Sequence, residues 1–165
     1  MDVSSRPPRL ESASRSVLRR LGRGRVRASL AGLPLHVAAQ NVAQVSTEVF
    51  AKLIDVYPDG YEAIILDSAI RTRYRNGREP DQIEMMTPNA PVELTIDLWD
   101  TAITFEEGHR IAVHVTSSNY PRFDVNPNTG EHPSDAETPR IAQNTIYMTE
   151  DRPSAIILPI IYDPN

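Results

Sequence analysis

The residues whose types and spacing suit recognition chemistry lie in one polar segment, Ser117 to Gly130, which reads SSNYPRFDVNPNTG. Two aromatic rings, one guanidinium and one proline occur within five positions of it. Arginine and aromatic side chains are enriched in the cores of protein–protein interfaces. The composition therefore predicts a docking surface with the candidate contact residues Asn119, Tyr120, Arg122, Phe123, Asp124 and Asn126. The alternative is simple loop packing, in which Arg122 pairs only with Asp124.

The second half of this segment imitates the start of a calcium-binding loop. Asp124, Asn126 and Asn128 stand at positions one, three and five, and Asp135 stands at position twelve. Glycine falls at position seven rather than six, however, and the last ligand is Asp rather than Glu. Asn and Asp side chains also bond nearby backbone N–H groups in turns. We therefore expect a cluster of Asx turns here, and no metal or cofactor.

Recognised motifs for nucleophilic or zinc-dependent catalysis are missing from the sequence. No Gly-x-Ser-x-Gly nucleophile elbow occurs, and the four histidines form neither His-x-x-x-His nor His-Glu-x-x-His. His114 alternates onto the outer side of its strand, which predicts a surface or interface histidine. The chain on its own is expected to be catalytically inert.

Two alternating strands feed the polar segment. Val92, Leu94, Ile96 and Leu98 share one face of the first, and Ile111, Val113 and Val115 share one face of the second. Further strands are predicted over residues 33–39, 49–57, 64–74, 143–149 and 155–162. The third of these should carry Ile64, Leu66, Ile70 and Tyr74 inward, and Arg71, Arg73 and Arg75 outward on a solvated face. Seven or so strands and no helix predict an all-β sandwich.

Three segments resemble a known family, in the family's order. They are LTIDLWDTAITFEEGHRIAVHVTSSNYPRFDVNPNTG (94–130), VFAKLIDVYPDG (49–60) and NTIYMTEDRPSAIILPI (144–160). The chain, over residues 30 to 162, resembles the C-terminal domain of the X-Pro dipeptidyl-peptidase and cocaine esterase family of serine hydrolases. The resemblance implies a jelly-roll, galactose-binding-like β-sandwich attached to an α/β-hydrolase domain that holds the Ser-Asp-His triad.

The residues of that triad are not supplied by this sequence. The resemblance therefore implies a structural and docking role, with an α/β-hydrolase domain or chain of the same family as partner. Hydrolysis of esters or amides, including X-Pro peptides, would be carried by that partner. The alternative is a stand-alone β-sandwich that binds carbohydrate or another ligand, and an exposed aromatic platform would favour it.

Charge is distributed unevenly along the 165 residues of the chain. Residues 1–40 carry eight arginines against two acids, a net +6, whereas residues 41–165 carry a net −11. This predicts a flexible, disordered Arg/Ser-rich lead over residues 1–30 and a sandwich domain over residues 31–165. The acidic body argues against nucleic acid as a partner, and no apolar run is long enough to span a membrane. The absence of cysteine fits a reducing compartment, so we expect a cytoplasmic location.

An Arg-rich lead looks unsuited to form a strand, whereas the resembling domain has further sequence that contributes strands before residue 33. The sandwich is therefore expected to be incomplete, with an open edge. Unpaired strand edges and uncovered apolar area favour association. We therefore also predict that copies of this chain associate with one another.

Overall fold

The computed structural model describes residues 15–19, 26–30, 34–41, 46–132, 134–136 and 138–158. Regular structure in these residues is β-strand, apart from one 3-10 helix at Thr72–Tyr74. The strands in chain order are β1 (Arg15–Arg19), β2 (Val26–Leu30), β3 (Pro34–Asn41), β4 (Glu48–Val56), β5 (Glu62–Arg71), β6 (Val92–Asp97), β7 (Thr101–Phe105), β8 (Arg110–Thr116), β9 (Asn144–Ile146) and β10 (Ala155–Ile156).

The strands form two facing antiparallel sheets and a separate two-stranded antiparallel sheet. The first sheet has the order β1-β8-β4-β5. The second has the order β10-β3-β6, with β9 also paired to β3, and β2 pairs with β7. The prediction of an all-β sandwich is confirmed.

The core lies between the two sheets because alternate side chains of each sheet point toward the other. On β4, Val49, Ala51 and Leu53 face inward. They pack with inward residues of β3, β6, β7 and β8, all fully or nearly fully buried: Leu35, Val37, Ala39, Leu94, Ile96, Phe105, Ile111 and Val113. Leu98, just after β6, joins them. The alternating residues predicted for β6 and β8 thus form the core.

The opposite side of the first sheet is called the outer face below. Phe50 and Lys52 of β4 lie on it, paired with Ala69 and Asp67 of β5. Their neighbours on β8 are Thr116 and His114. This face receives the polar segment that follows β8.

A β-bulge changes the facing of β5. Leu53 pairs with Leu66, but Ile54 pairs with Ile64, so Ile65 has no direct partner on β4. An extra residue in one strand reverses the alternation beyond it. Leu66 and Ile70 face the core as predicted, whereas Ile64 is 60% exposed on the outer face. The prediction of an inward Ile64 is therefore wrong. The strand also ends at Arg71 instead of residue 74.

β7 is absent from the predicted elements. Residues 101–105 are expected to belong to a connection, yet they pair with β2 along their full length and bury Phe105 completely. Thr101, Ala102 and Thr104 flank only two large apolar residues, so the alternation is short and weak.

Two strands occupy parts of the predicted lead. β1 pairs with β8, and β2 pairs with β7. The expectation that this segment is unsuited to a strand is therefore wrong for residues 15–19 and 26–30. Val26, Ala28 and Leu30 alternate with polar residues, and charged residues are common in edge strands such as β1. The high arginine content of the segment makes this alternation of apolar and polar residues hard to recognise.

Some predictions fall outside the described residues. They are the flexibility expected of residues 1–14 and 20–25 and the continuation of the last strand past Leu158. The division of the chain at residue 30 stays a prediction.

Within the part of the chain that the structure describes, no helix is long and apolar enough to cross a bilayer.

Candidate docking surface

The segment after β8 folds back onto the outer face through a partly buried carboxylate. Asp67 of β5 accepts a hydrogen bond from Asn119 Nδ2 at 3.3 Å and contacts Arg122 Nη1 at 3.1 Å. The Asp67 side chain is only 12% exposed, whereas that of Arg122 is 66% exposed. A charge-assisted contact to a largely desolvated carboxylate is stronger than a fully exposed ion pair. Asp67 therefore fixes the start of the loop.

An aromatic contact holds the middle of the same loop. The rings of Phe123 and Phe50 lie with centroids 5.1 Å apart and planes tilted by 52°. Phe50 points to the outer face yet is 1% exposed, and the Phe123 ring packs on it. The Arg122 guanidinium lies 5.8 Å from the centre of the Phe123 ring, within cation–π range.

Large side chains remain exposed on the outside of this anchored loop. Tyr120 is 71% exposed and Val125 is 61% exposed, and Phe123 keeps 38% of its surface in solvent. The Tyr120–Pro121 peptide bond is cis. Aromatic side chains have few rotatable bonds and lose little entropy on binding, and aromatic and arginine residues dominate binding energy at interfaces. We call residues 119–126 the docking loop.

The end of the loop is a cluster of turns. Asn126 Oδ1 accepts the N–H of Asn128 at 2.9 Å, and the Asn128 side chain donates to the Arg140 carbonyl at 3.0 Å. The Arg140 N–H in turn donates to the Pro127 carbonyl at 2.8 Å. The first of these bonds is an Asx turn of the predicted kind, and the other two hold residues 127–128 to Arg140. Among the described residues, no group of three or more His, Cys, Asp or Glu side chains is arranged to hold a metal ion.

A surface pocket with a volume of about 720 Å³ borders the docking loop. Phe123, Asp124, Val125 and Asn126 form one side, and the lining is completed by Glu48, Arg71, His132 and Ser134. The Asn126 Nδ2 group is buried and has no hydrogen-bond partner. A buried donor without a partner costs about 1–3 kcal/mol.

The arginines of β5 and the 3-10 helix clamp loops rather than line a solvated face. Arg71 bonds Glu48 through both Nε and Nη2. Arg73 Nη1 donates to the Gly130 carbonyl at 2.6 Å, which ties down the far end of the polar segment. Arg75 bonds the Glu84 carbonyl and carboxylate, and its side chain is only 8% exposed. The prediction of a solvated face for these three arginines is wrong.

Three histidines pair with carboxylates, and one of these pairs is His36 with Glu93 at 2.7 Å in the second sheet. His114 lies on the outer face as predicted, with Nε2 at 3.5 Å from Glu62 Oε2. His109 Nδ1 lies 2.9 Å and 3.0 Å from the two carboxylate oxygens of Asp55. Asp55 is 4% exposed, and the Tyr57 ring stacks against His109 at 4.3 Å. This last pair joins the end of β4 to the turn before β8.

The structure brings the predicted contact residues together on one side of the first sheet. Asn119 and Arg122 meet on Asp67, Phe123 meets Phe50, and Tyr120 projects outward. Asp124 and Asn126 line the neighbouring pocket. The ion pair of Arg122 is with Asp67 and not with Asp124, so the pairing in the loop-packing alternative is wrong.

Sequence reasoning missed the anchors Asp67 and Phe50 and the exposed Val125. Asp67 was recognisable as a carboxylate on the outward side of an alternating strand. Its contact with a loop some fifty residues later depends on the strand order, which alternation does not encode. The docking role of the six candidates stays a prediction.

Trp99, at 65% exposure, is a further exposed aromatic outside the docking loop, as are Tyr61 at 63% and Tyr57 at 38%. The φ of Trp99 is +68°, a left-handed conformation, and Asp97 Oδ1 accepts its N–H at 2.8 Å. Among the described residues, no ring contact joins Trp99 to another aromatic side chain. A single ring in a turn is not the aromatic platform expected of a carbohydrate-binding module.

Comparison with known proteins decides between the two predicted readings. Residues 28–157 match the family described as the X-Pro dipeptidyl-peptidase C-terminal non-catalytic domain. This chain belongs to that family. The resemblance in the three segments is confirmed, and the stand-alone ligand-binding alternative is not favoured.

Members and neighbours of this family include several hydrolases. The chain is 40% identical over 120 residues to cocaine esterase of Rhodococcus sp. (strain MB1 Bresler), which covers 71% of the chain and 20% of the esterase. It superposes on an aminopeptidase from a marine sediment Thaumarchaeota archaeon with a TM-score of 0.78 and 27% identity, over 90% of this chain and 26% of that one. An α-amino acid ester hydrolase gives a TM-score of 0.78 and 26% identity, over 90% and 25% of the two chains.

The coverage is strongly asymmetric. The chain spans about a fifth of the length of the esterase and about a quarter of each of the two solved structures. As a member of the X-Pro dipeptidyl-peptidase C-terminal family, it corresponds to the non-catalytic domain of larger hydrolases.

Proposed function

We propose that this chain is the C-terminal sandwich of a serine hydrolase that cleaves esters or peptides, and that it docks an α/β-hydrolase catalytic domain through residues 119–126. The observation that carries the proposal is the docking loop itself. Tyr120 and Arg122 are exposed, whereas the backbone that carries them is fixed by Asp67, Phe50 and Arg73.

A loop fixed before binding avoids much of the ordering cost of association. Arg122 is also held in place by its carboxylate partner without being buried, so its guanidinium keeps free N–H donors for a partner surface. Tyr120 presents a rigid ring with a polar tip, a type common in binding hot spots. These features favour a protein surface as the partner.

A chimera tests the docking proposal. The C-terminal segment of Rhodococcus cocaine esterase that matches this chain is replaced by the matching residues of this chain. The chimera should unfold in one calorimetric transition, because the docked domains stabilise each other. Tyr120→Ala with Arg122→Ala should split it into two transitions, since hot-spot truncations cost about 2 kcal/mol or more each.

Trp99→Ala is the matched control for the chimera, because it removes an equally exposed aromatic side chain outside the docking loop. It should leave a single transition. Equal melting behaviour of the two variants would rule out docking through Tyr120 and Arg122.

The chain alone should not turn over p-nitrophenyl butyrate or Ala-Pro-p-nitroanilide above background. The sequence has no nucleophile elbow, and the family is a non-catalytic one. Turnover by the purified chain that is abolished by a serine-directed inhibitor would contradict this expectation, whatever the outcome for the chimera.

We also propose a cytoplasmic location, supported by a sequence without cysteine. Fractionation of the source cells, followed by immunodetection of the chain, tests this directly.

A further inference from the structure

One exposed turn carries a side-chain amide beside a backbone nitrogen that can react with it. Asn76 is the single asparagine of the sequence that glycine follows, and the pair lies directly after the 3-10 helix. Asn76 is exposed to solvent. The Gly77 N–H donates to the Tyr74 carbonyl at 3.2 Å, the long end of the range for such a bond. The Gly77 nitrogen is therefore held only weakly.

Gly77 leaves the path from its nitrogen to the Asn76 side chain open. Any other residue would bring a Cβ beside that nitrogen, whereas glycine brings none. The φ of Gly77 is +137°, a conformation that residues with side chains rarely adopt. A Cβ at this position would also lie 1.9 Å from Gln82 Oε1. The fold thus favours glycine directly after this exposed amide.

We propose that Asn76 is a site of spontaneous deamidation and isoaspartate formation, with water as the co-reactant. The Gly77 nitrogen gives up its proton and bonds to Asn76 Cγ, the bond from Cγ to Nδ2 breaks, and ammonia leaves with that proton. The product is a cyclic imide. Water then opens the ring at Cγ to give aspartate, or at the main-chain carbonyl of residue 76 to give isoaspartate.

The modification changes the surroundings of Glu84. Asn76 Nδ2 donates to Glu84 Oε2 at 2.9 Å, and Arg75 Nη2 contacts the same oxygen at 2.6 Å. Deamidation replaces the Asn76 donor by a second carboxylate, so that a hydrogen bond becomes a repulsion between like charges. The Glu84 N–H donates to the Arg73 carbonyl at 3.0 Å. This N–H should therefore exchange with solvent faster in the modified chain.

This inference goes beyond the proposed docking role and does not rest on it. The reaction needs the Asn76 amide, the Gly77 nitrogen and water, all of which the chain has without a catalytic partner. Failure of the docking experiment would leave it unaffected, and the reverse holds as well.

Asn89 provides a matched control within the same chain. It is exposed like Asn76, and the N–H that follows it, that of Ala90, donates to the Thr87 carbonyl at 3.2 Å. The two asparagines therefore share their exposure and the bond of the following nitrogen. They differ in the Cβ that Ala90 carries and Gly77 lacks.

Peptide mapping of the full-length chain after prolonged incubation tests the proposal. Cleavage after glutamate places Asn76 in residues 63–79 and Asn89 in residues 85–93. Mass spectrometry measures conversion of amide to acid, and enzymatic methylation specific for isoaspartate measures the rearranged product. Asn76 should convert at least about tenfold faster than Asn89, because no Cβ follows it. Conversion should rise from neutral to mildly alkaline pH, because the attacking nitrogen must lose its proton.

Three variants test the route and its consequence. Ala90→Gly removes the Cβ after Asn89 and should raise conversion of Asn89 about tenfold. Asn76→Gln keeps an amide but lengthens the side chain, which disfavours ring closure, so residues 63–79 should lose the conversion. Asn76→Asp introduces the negative charge directly and should speed hydrogen exchange of the Glu84 N–H.

Four results would overturn the proposal. Equal conversion of Asn76 and Asn89 would show that Gly77 confers no reactivity. Aspartate without isoaspartate would exclude the imide, as would an Ala90→Gly variant whose Asn89 converts no faster. Unchanged exchange of the Glu84 N–H in Asn76→Asp and in the modified chain would show that the bond from Asn76 does not hold Glu84 in place.

Discussion

Phe105→Ala should lower the free energy of unfolding by about 3–5 kcal/mol, the range for truncating a buried phenylalanine. Phe105 ends β7 and is completely buried in the main core. Its ring packs in the same cluster as residues from β3, β4, β6 and β8, so neither sheet alone can close the cavity left by its removal. Urea denaturation followed by circular dichroism measures the loss.

Tyr120→Ala is the control for this experiment. The Tyr120 ring is 71% exposed, and exposed substitutions usually change stability by no more than about 0.5 kcal/mol. If Phe105→Ala costs less than about 1.5 kcal/mol, β7 is not an integral part of the core. The same control shows that Tyr120 can be changed in the docking experiment without weakening the domain.

Phe105 also shows where sequence alternation stops being informative. β6 and β8 have three or four apolar residues at every second position, and this alternation predicts both strands nearly to the residue. β7 has only Ile103 and Phe105 at that spacing, between small and polar residues. Its position is determined by pairing with β2. β2 is itself hard to recognise from the sequence, because its apolar residues lie in an arginine-rich segment.

The bulge in β5 is a second limit. Ile64 and Leu66 are two positions apart, so a regular strand places them on one face. The register shift beside Leu53 puts them on opposite faces. A shift of this kind depends on how two strands pair and leaves no mark in the hydrophobic pattern of either strand.

The docking loop was found from residue type, because arginine and aromatic residues are conspicuous in a polar segment. Its rigidity could not be read in the same way. The contacts of Asn119 and Arg122 with Asp67 depend on β5 lying two strands away from β8 in the first sheet. Strand order is a property of the whole fold, and the alternation within a single strand does not encode it.

The buried pair of Asp55 and His109 was also beyond the sequence. His109 stands in the turn Glu106-Glu107-Gly108-His109, where a solvated side chain is the ordinary expectation. Its side chain is only 12% exposed, because the turn lies against the end of β4 and the Tyr57 ring. Because this turn packs against β4 instead of pointing into solvent, the hydrogen bond between His109 and Asp55 is buried at this end of the sandwich.

His109→Phe should lower the free energy of unfolding by about 3 kcal/mol, because it leaves the Asp55 carboxylate buried without the N–H that it accepts. Phenylalanine keeps a ring against Tyr57, so the loss reports mainly on the hydrogen bond. The double variant Asp55→Leu with His109→Phe should be more stable than His109→Phe alone, since it removes the unpaired carboxylate as well. Denaturant unfolding of the wild type, both single variants and the double variant completes a double-mutant cycle. A double variant that loses the sum of the two single effects would show that Asp55 and His109 contribute independently, and that the contact between β4 and the turn before β8 does not rest on their pairing.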